Sequence, residues 1–146
     1  MVVVKFNRSF YSLNMFKKLT DNSLEIIDKD GEVLYSDNGK WLHPLFDCSY
    51  YMSDEIKDKS KVILHDKIQG QAAAALTIYL GFEHVQVDLI SEKALALYER
   101  FPEIEVEYLE KCERISCQTE AILDSEQSIR DIVTFLCHRA GKRLTF

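Results

Sequence analysis

The segment from Val62 to Leu80 constrains the fold more than any other part of this chain. Val62-Ile63-Leu64 reads as a buried strand that runs through His65-Asp66-Lys67 into Gln69-Gly70-Gln71-Ala72-Ala73-Ala74-Ala75-Leu76-Thr77-Ile78-Tyr79-Leu80. The second half is expected to be a helix. It is apolar almost all the way round, which places it at the centre of a fold rather than on its rim. Its run of alanines lets it pack close to a sheet, and Gly81 is a natural C-cap.

The rest of the chain supplies that sheet. From Arg8 to about Leu19, Phe10, Leu13, Phe16 and Leu19 recur at spacing three, which predicts a helix with one apolar stripe, ended by Asp21-Asn22. Ser23 to Ile27 and Glu32 to Tyr35 are β-prone runs flanking Asp30-Gly31, a strong local hairpin signal. Asp37-Asn38-Gly39-Lys40 is a second turn. Pro44 suits the first turn of a helix, and Leu45, Cys48, Met52 and Ile56 continue it as a stripe closed by Lys57-Asp58-Lys59.

His84 to Ile90 is another strand. Ser91 can cap a helix through Ala94, Leu97, Tyr98 and Phe101, stopped by Pro102. Ile104 to Leu109 alternates as a half-exposed strand should. Glu110 to Thr119 has no regular pattern. Asp124 or Ser125 can cap a last helix, about 125–140, in which Ile129, Ile132, Val133, Leu136 and Ala140 share a face before Gly141. The predicted order is α, β, β, α, β, α, β, α, β, α. It argues for one domain over residues 1–146, with a mixed sheet and helices on both faces.

Charge and composition exclude several classes of function. A net charge of −6 repels phosphate backbones, so non-specific nucleic-acid binding is not expected. Lys5, Arg8, Lys17 and Lys18 read as the solvated face of the first helix. No apolar run approaches the roughly 20 residues of a membrane span, and Met1-Val2-Val3-Val4 is too short for a signal peptide. Cys48, Cys112, Cys117 and Cys137 are then expected as reduced thiols in a cytoplasmic protein.

Four stretches resemble an uncharacterised prokaryotic family, domain of unknown function 1893, placed within the cytidine deaminase-like superfamily. They are Asp30-Gly31-Glu32-Val33-Leu34-Tyr35, Asp66-Lys67-Ile68-Gln69-Gly70-Gln71-Ala72-Ala73-Ala74, Asp88-Leu89-Ile90-Ser91-Glu92-Lys93-Ala94 and Cys117-Gln118-Thr119-Glu120. The resemblance covers roughly Asp21 to Glu120. Its most specific part is Asp-Lys-x-x-Gly-x-Ala-Ala-Ala. Where the family pattern reads Cys-Pro-x-Glu, this chain has Gln118 in place of the proline. The resemblance implies a three-layer α/β/α sandwich with one mixed sheet, cytidine deaminase-like, and it implies assembly into homodimers.

The deaminase chemistry does not follow from the resemblance. A zinc deaminase needs His (or Cys)-x-Glu at one helix start and Pro-Cys-x-x-Cys at the next, so that three ligands hold the metal and the glutamate moves protons. The first helix start here reads His43-Pro44-Leu45, with leucine where the proton shuttle would be. The second reads Asp66-Lys67-Ile68-Gln69-Gly70, with no thiolate and with a lysine that would repel a cation. No metal and no cofactor are expected. Cys48 falls on an apolar stripe and reads as a small hydrophobe, and Cys112, Cys117, Cys137 and His138 fit no standard zinc spacing.

Three functional readings remain. In the first, the chain is a non-catalytic binder of a small anionic or nucleotide-like ligand held by Asp66, Lys67, Gly70, Asp88 and Ser91. Those residues sit where strands end and helices begin, the edge at which open α/β sheets bind ligands. The plainer account of Asp66 and Ser91 is helix capping, and of Gly70 close packing. In the second, Cys117 is a nucleophile with Glu120 as its acid–base partner, three residues along and so on one helix face. Against it stands simple packing beneath the last helix. In the third, the chain is a regulatory or interaction subunit with a vestigial site. An open crevice favours the first reading, and a crevice filled by its own side chains favours the third.

Overall fold

The computed structural model describes residues 3–4, 16–56, 58–115, 122–123 and 127–144. Six strands form one sheet: β1 (Val3–Val4), β2 (Leu24–Asp28), β3 (Val33–Asp37), β4 (Val62–Gln69), β5 (His84–Ser91) and β6 (Glu105–Cys112). Their order across the sheet is β1-β6-β5-β4-β2-β3. The pairs β4–β5 and β5–β6 are parallel, whereas β2 runs antiparallel to both β3 and β4. Among the described residues four α-helices accompany them: α1 (His43–Glu55), α2 (Gln71–Leu80), α3 (Glu92–Glu99) and α4 (Ile129–Ala140). The architecture is a mixed α/β fold, as the sequence predicts. No described helix is long and apolar enough to cross a membrane.

The expected hairpin forms. Asp28 Oδ1 accepts the N–H groups of Asp30 and Glu32 at 2.9 Å each, and Gly31 takes φ 91°. A register shift between Ile26 and Ile27 absorbs the tight turn. The final helix begins later than Asp124 or Ser125 would place it. Its cap is Ser128, whose Oγ accepts the Asp131 N–H at 3.2 Å. β1 was too short to be read from its own residues, and it is defined by its pairing, with Val3 opposite Tyr108.

The crossovers β3-α1-β4, β4-α2-β5 and β5-α3-β6 all advance in one direction across the sheet. Right-handed connections then put all three helices on the same face. Their contacts agree, since α2 packs against α1, α3 and α4. Among the described residues the helices form one layer, and most of the helix expected on the other face lies outside the described residues. Leu24, Ile26, Leu64, Val85, Val87 and Val106 bury the sheet side of that core, and Ala72 to Leu76 of α2 lie against it. A near-featureless alanine surface suits a helix surrounded by three others and a sheet.

Alternation along the strands turns a polar row to the opposite face. Glu25, His65, Gln86 and Glu107 stand side by side there, each paired with the next across neighbouring strands. Phe16 to Leu19 overlie the middle of this row. The predicted helix from Arg8 to Leu19 falls partly outside the described residues, and Phe16 to Leu19 are irregular rather than helical. The physical reason lies in one bond. The Leu19 N–H donates to Asp88 Oδ2 at 2.9 Å instead of to a carbonyl one turn back.

Candidate functional site

Because β3, β4, β5 and β6 run parallel to one another, their carboxyl ends and the amino ends of α1, α2 and α3 share one edge. At that edge Asp66 pairs with Leu24 and Val87 and so faces the helix layer. It is only 8% exposed. Burial pushes its carboxyl up to about 7, opposed by the Gln69 carboxamide, by the N–H groups of Lys67 and Ile68, and by His65.

Asp66 belongs to a closed network. Gln69 Nε2 donates to Asp66 Oδ2 and to Thr77 Oγ1, both at 3.0 Å. Tyr98 OH donates to Gln69 Oε1 at 2.5 Å, and Thr77 Oγ1 donates to the Ala73 carbonyl at 2.8 Å. Gln69, Thr77 and Tyr98 are all fully buried. A strand, the central helix and α3 are thus tied by polar groups in which both ends of the Gln69 carboxamide are used.

The five predicted ligand residues do not converge. Asp66 is inside the helix layer. Asp88 lies on the opposite face, where its Oδ1 meets His65 Nε2 at 2.7 Å and its Oδ2 takes the Leu19 N–H. Ser91 is buried and caps α3, its Oγ accepting the Ala94 N–H at 3.1 Å. Lys67 is exposed and turned by strand alternation away from Asp66, while its N–H donates to the Ser23 carbonyl at 2.9 Å. Gly70 is the N-cap of α2 in extended backbone and offers no side-chain oxygen. α1 starts the same way, from Leu42 without a side-chain cap, after Trp41 at φ 56°.

Near these helix starts, His43 Nδ1 is buried without a hydrogen-bond partner among the described residues, and its ring meets the Trp41 ring edge-on at 5.2 Å. Cys48 is fully buried on α1, and burial, reinforced by the charges of Asp66, Asp37 and Asp47, pushes its thiol far above the ordinary range. Such a shift favours the thiol over the thiolate. Cys112 is half-buried with its thiol facing the Ile90 carbonyl at 3.6 Å. Cys117 and Glu120 lie outside the described residues. Among the described residues no group of three or more His, Cys, Asp or Glu side chains could hold a metal ion.

Sequence reasoning missed the His65–Asp88 pair and the roles of Gln69, Thr77 and Tyr98. The signal was present in part. His65, Asp66 and Asp88 interrupt strands that are otherwise apolar, and a buried polar side chain must find a partner. Which face each would take depended on register across the sheet.

The fold and this edge define a mixed α/β domain in which Asp66, Gln69, Thr77 and Tyr98 bond to one another within the protein. The chain belongs to the family described as Domain of unknown function (DUF1893), whose model matches residues 14–137. That match extends beyond the stretches that carry the resemblance at both ends and takes in most of α4. In structure the chain is similar to a DUF1893 family protein from Thermotoga maritima. The TM-score is 0.70 at 18% identity, covering 82% of this chain and 81% of that one. At that identity the likeness speaks for the fold alone. No curated protein matches.

Proposed function

We propose that the chain is a non-catalytic, deaminase-like domain that acts by binding a partner, with the crevice at its sheet edge closed by its own side chains. The observation that carries this reading is the Asp66–Gln69–Thr77–Tyr98 network. A carboxylate that would greet a ligand is instead 8% exposed and hydrogen-bonded within the protein. Opening that site would strand several buried polar groups, each at a cost of about 1–3 kcal/mol. The finer, three-layer form of the fold is part of the reading. It is supported by the polar row of Glu25, His65, Gln86 and Glu107, which stays only half-covered by Phe16 to Leu19. A reducing, cytoplasmic setting is supported by Cys48, Cys112 and Cys137, none of which is in a disulfide.

A second reading keeps a small anion at this edge. Of the described helices, α3 and α4 begin with a serine cap, whereas α1 and α2 begin with no side-chain cap. At α1 the His43 and Leu45 N–H groups already donate to the Lys40 and Leu42 carbonyls and Pro44 has none, so the amino end of α2, with Lys67 nearby in sequence, is where an anion would sit. A thermal-shift screen against nucleosides, sugar phosphates, inorganic phosphate and Zn²⁺ separates the two. The first reading expects no shift that depends on Lys67 and none from zinc. A shift abolished by Lys67→Ala establishes the second reading, and a strong zinc shift overturns both.

A further inference from the structure

The opposite end of α2 carries a different chemistry. Tyr79 lies nine positions after Gly70, about 13 Å further along the helix axis. Together with α4 and the segment that follows it, the last turn of α2 lines an open cleft of about 650 Å³. That is within the range of small-molecule sites, roughly 300–1,000 Å³. One wall is apolar and aromatic, formed by Tyr79, Val133 and Leu144, and the rim carries His138, Lys142 and Arg143.

This is a basic island in an acidic protein. From Ile132 to Phe146 the chain has no Asp or Glu, but it has Arg139, Lys142 and Arg143. The carboxyl end of a helix ordinarily repels an anion. Here Gly141, at φ 66°, turns the chain so that its own N–H and that of Lys142 donate to the His138 and Cys137 carbonyls. Two of the last four carbonyls are covered, and two cations follow directly.

The rim is held in place. Lys142 Nζ sits 3.1 Å from Asp47 Oδ1, and Tyr50 OH donates to the Arg143 carbonyl at 3.3 Å, so α1 anchors the segment from two points. Arg143 itself is exposed and has no ion-pair partner among the described residues. Tyr79 is 37% exposed beside it. Inorganic phosphate would meet the cations and leave the apolar wall wet, and a nucleoside would do the reverse. A long nucleic acid is opposed by the net charge of −6.

We propose that this cleft binds a mononucleotide-class ligand, its planar ring against Tyr79 and its phosphate at Lys142 and Arg143. The site is separate from the sheet edge and does not depend on how that edge is read.

The test is an amide-resonance titration of the ¹⁵N-labelled protein with AMP, adenosine and inorganic phosphate in parallel. AMP is expected to shift the amides of Tyr79, Thr134, Gly141 and Arg143, and to bind at least about tenfold more tightly than adenosine or phosphate. Arg143→Glu should weaken AMP by a similar factor and leave adenosine unchanged. Arg143 is exposed, so the fold should tolerate the change, and Arg143→Gln gives a milder check. Three results would overturn the proposal: no shift at these amides with millimolar AMP, shifts centred on Lys67 and Gly70 instead, or AMP binding undiminished in Arg143→Glu. Phosphate binding as tightly as AMP would likewise rule out the role given to Tyr79.

Discussion

Asp88 and His65 face each other on the polar side of the sheet, Oδ1 to Nε2 at 2.7 Å, with both side chains only 6% exposed. The second oxygen of the same carboxylate fixes the Leu19 N–H, and the Phe16 ring meets the His65 ring edge-on at 4.9 Å. One carboxylate therefore joins two strands and clasps the chain that crosses them. Asp88→Ala would leave a buried imidazole N–H and a buried backbone N–H without acceptors. The expected loss is about 3–5 kcal/mol in urea unfolding, whereas Asp88→Asn, which keeps an acceptor oxygen, should lose less. Equal losses in the two variants would mean that packing rather than hydrogen bonding sets the cost.

Asp66 should make the protein less stable as pH rises. Its carboxyl titrates at about 7 when folded, against an ordinary 3.8, because burial disfavours the charge. Between those values the folded state holds a proton that the unfolded chain has released. Unfolding free energy therefore falls from about pH 4 to about pH 7 and flattens above, by roughly 4 kcal/mol at most. Glu107, half-buried on the other face and also raised by burial, acts in the same direction. Asp66→Asn should remove most of the slope and be relatively more stable at pH 8. The check is a series of urea midpoints from pH 4 to 8. Unchanged slopes in the variant would show that Asp66 stays solvated.

Tyr98 is fully buried, and its hydroxyl reaches the carboxamide that holds Asp66. Tyr98→Phe keeps the ring and strands Gln69 Oε1, so a loss of about 1–3 kcal/mol is expected. Because Gln69 bridges Tyr98 and Asp66, the Tyr98→Phe and Asp66→Asn effects should not add. A double-mutant cycle should give a coupling of about 0.5 kcal/mol or more, and strict additivity would deny the network.

Much of the fold is legible in local residue patterns. The Asp30-Gly31 hairpin, the Pro44 helix, the all-apolar α2 and the Ser91 cap each follow from signals a few residues long. The irregular course of Phe16 to Leu19 is not, because Asp88, some seventy positions away, captures a backbone N–H that a helix would have used. The candidate site residues separate for a related reason. Asp66 and Asp88 each occupy a strand ahead of a helix and look equivalent in sequence. The parallel register, however, puts Asp66 opposite Val87, so Asp88, one residue on, points through the other side of the sheet. A cluster defined by strand ends cannot be assembled without knowing which residues share a face.

Two glycines with nearly the same backbone separate a local cost from a tertiary one. Gly31 has φ 91° and Gly81 has φ 89°. A Cβ on Gly31 would meet nothing within 4 Å, so Gly31→Ala should cost only the left-handed backbone penalty, about 1–2 kcal/mol. A Cβ on Gly81 would meet Lys59 Cδ and Nζ at 3.1 Å. That ammonium donates to the Leu80 carbonyl at 2.5 Å and so closes the end of the central helix. Gly81→Ala should therefore cost the same backbone penalty plus the displaced Lys59 bond, a further 1 kcal/mol or so. Lys59→Ala in the Gly81→Ala background should then cost less than Lys59→Ala alone. Equal costs for the two glycine variants, read from urea midpoints at one pH, would show that Lys59 moves aside freely and that only the backbone matters.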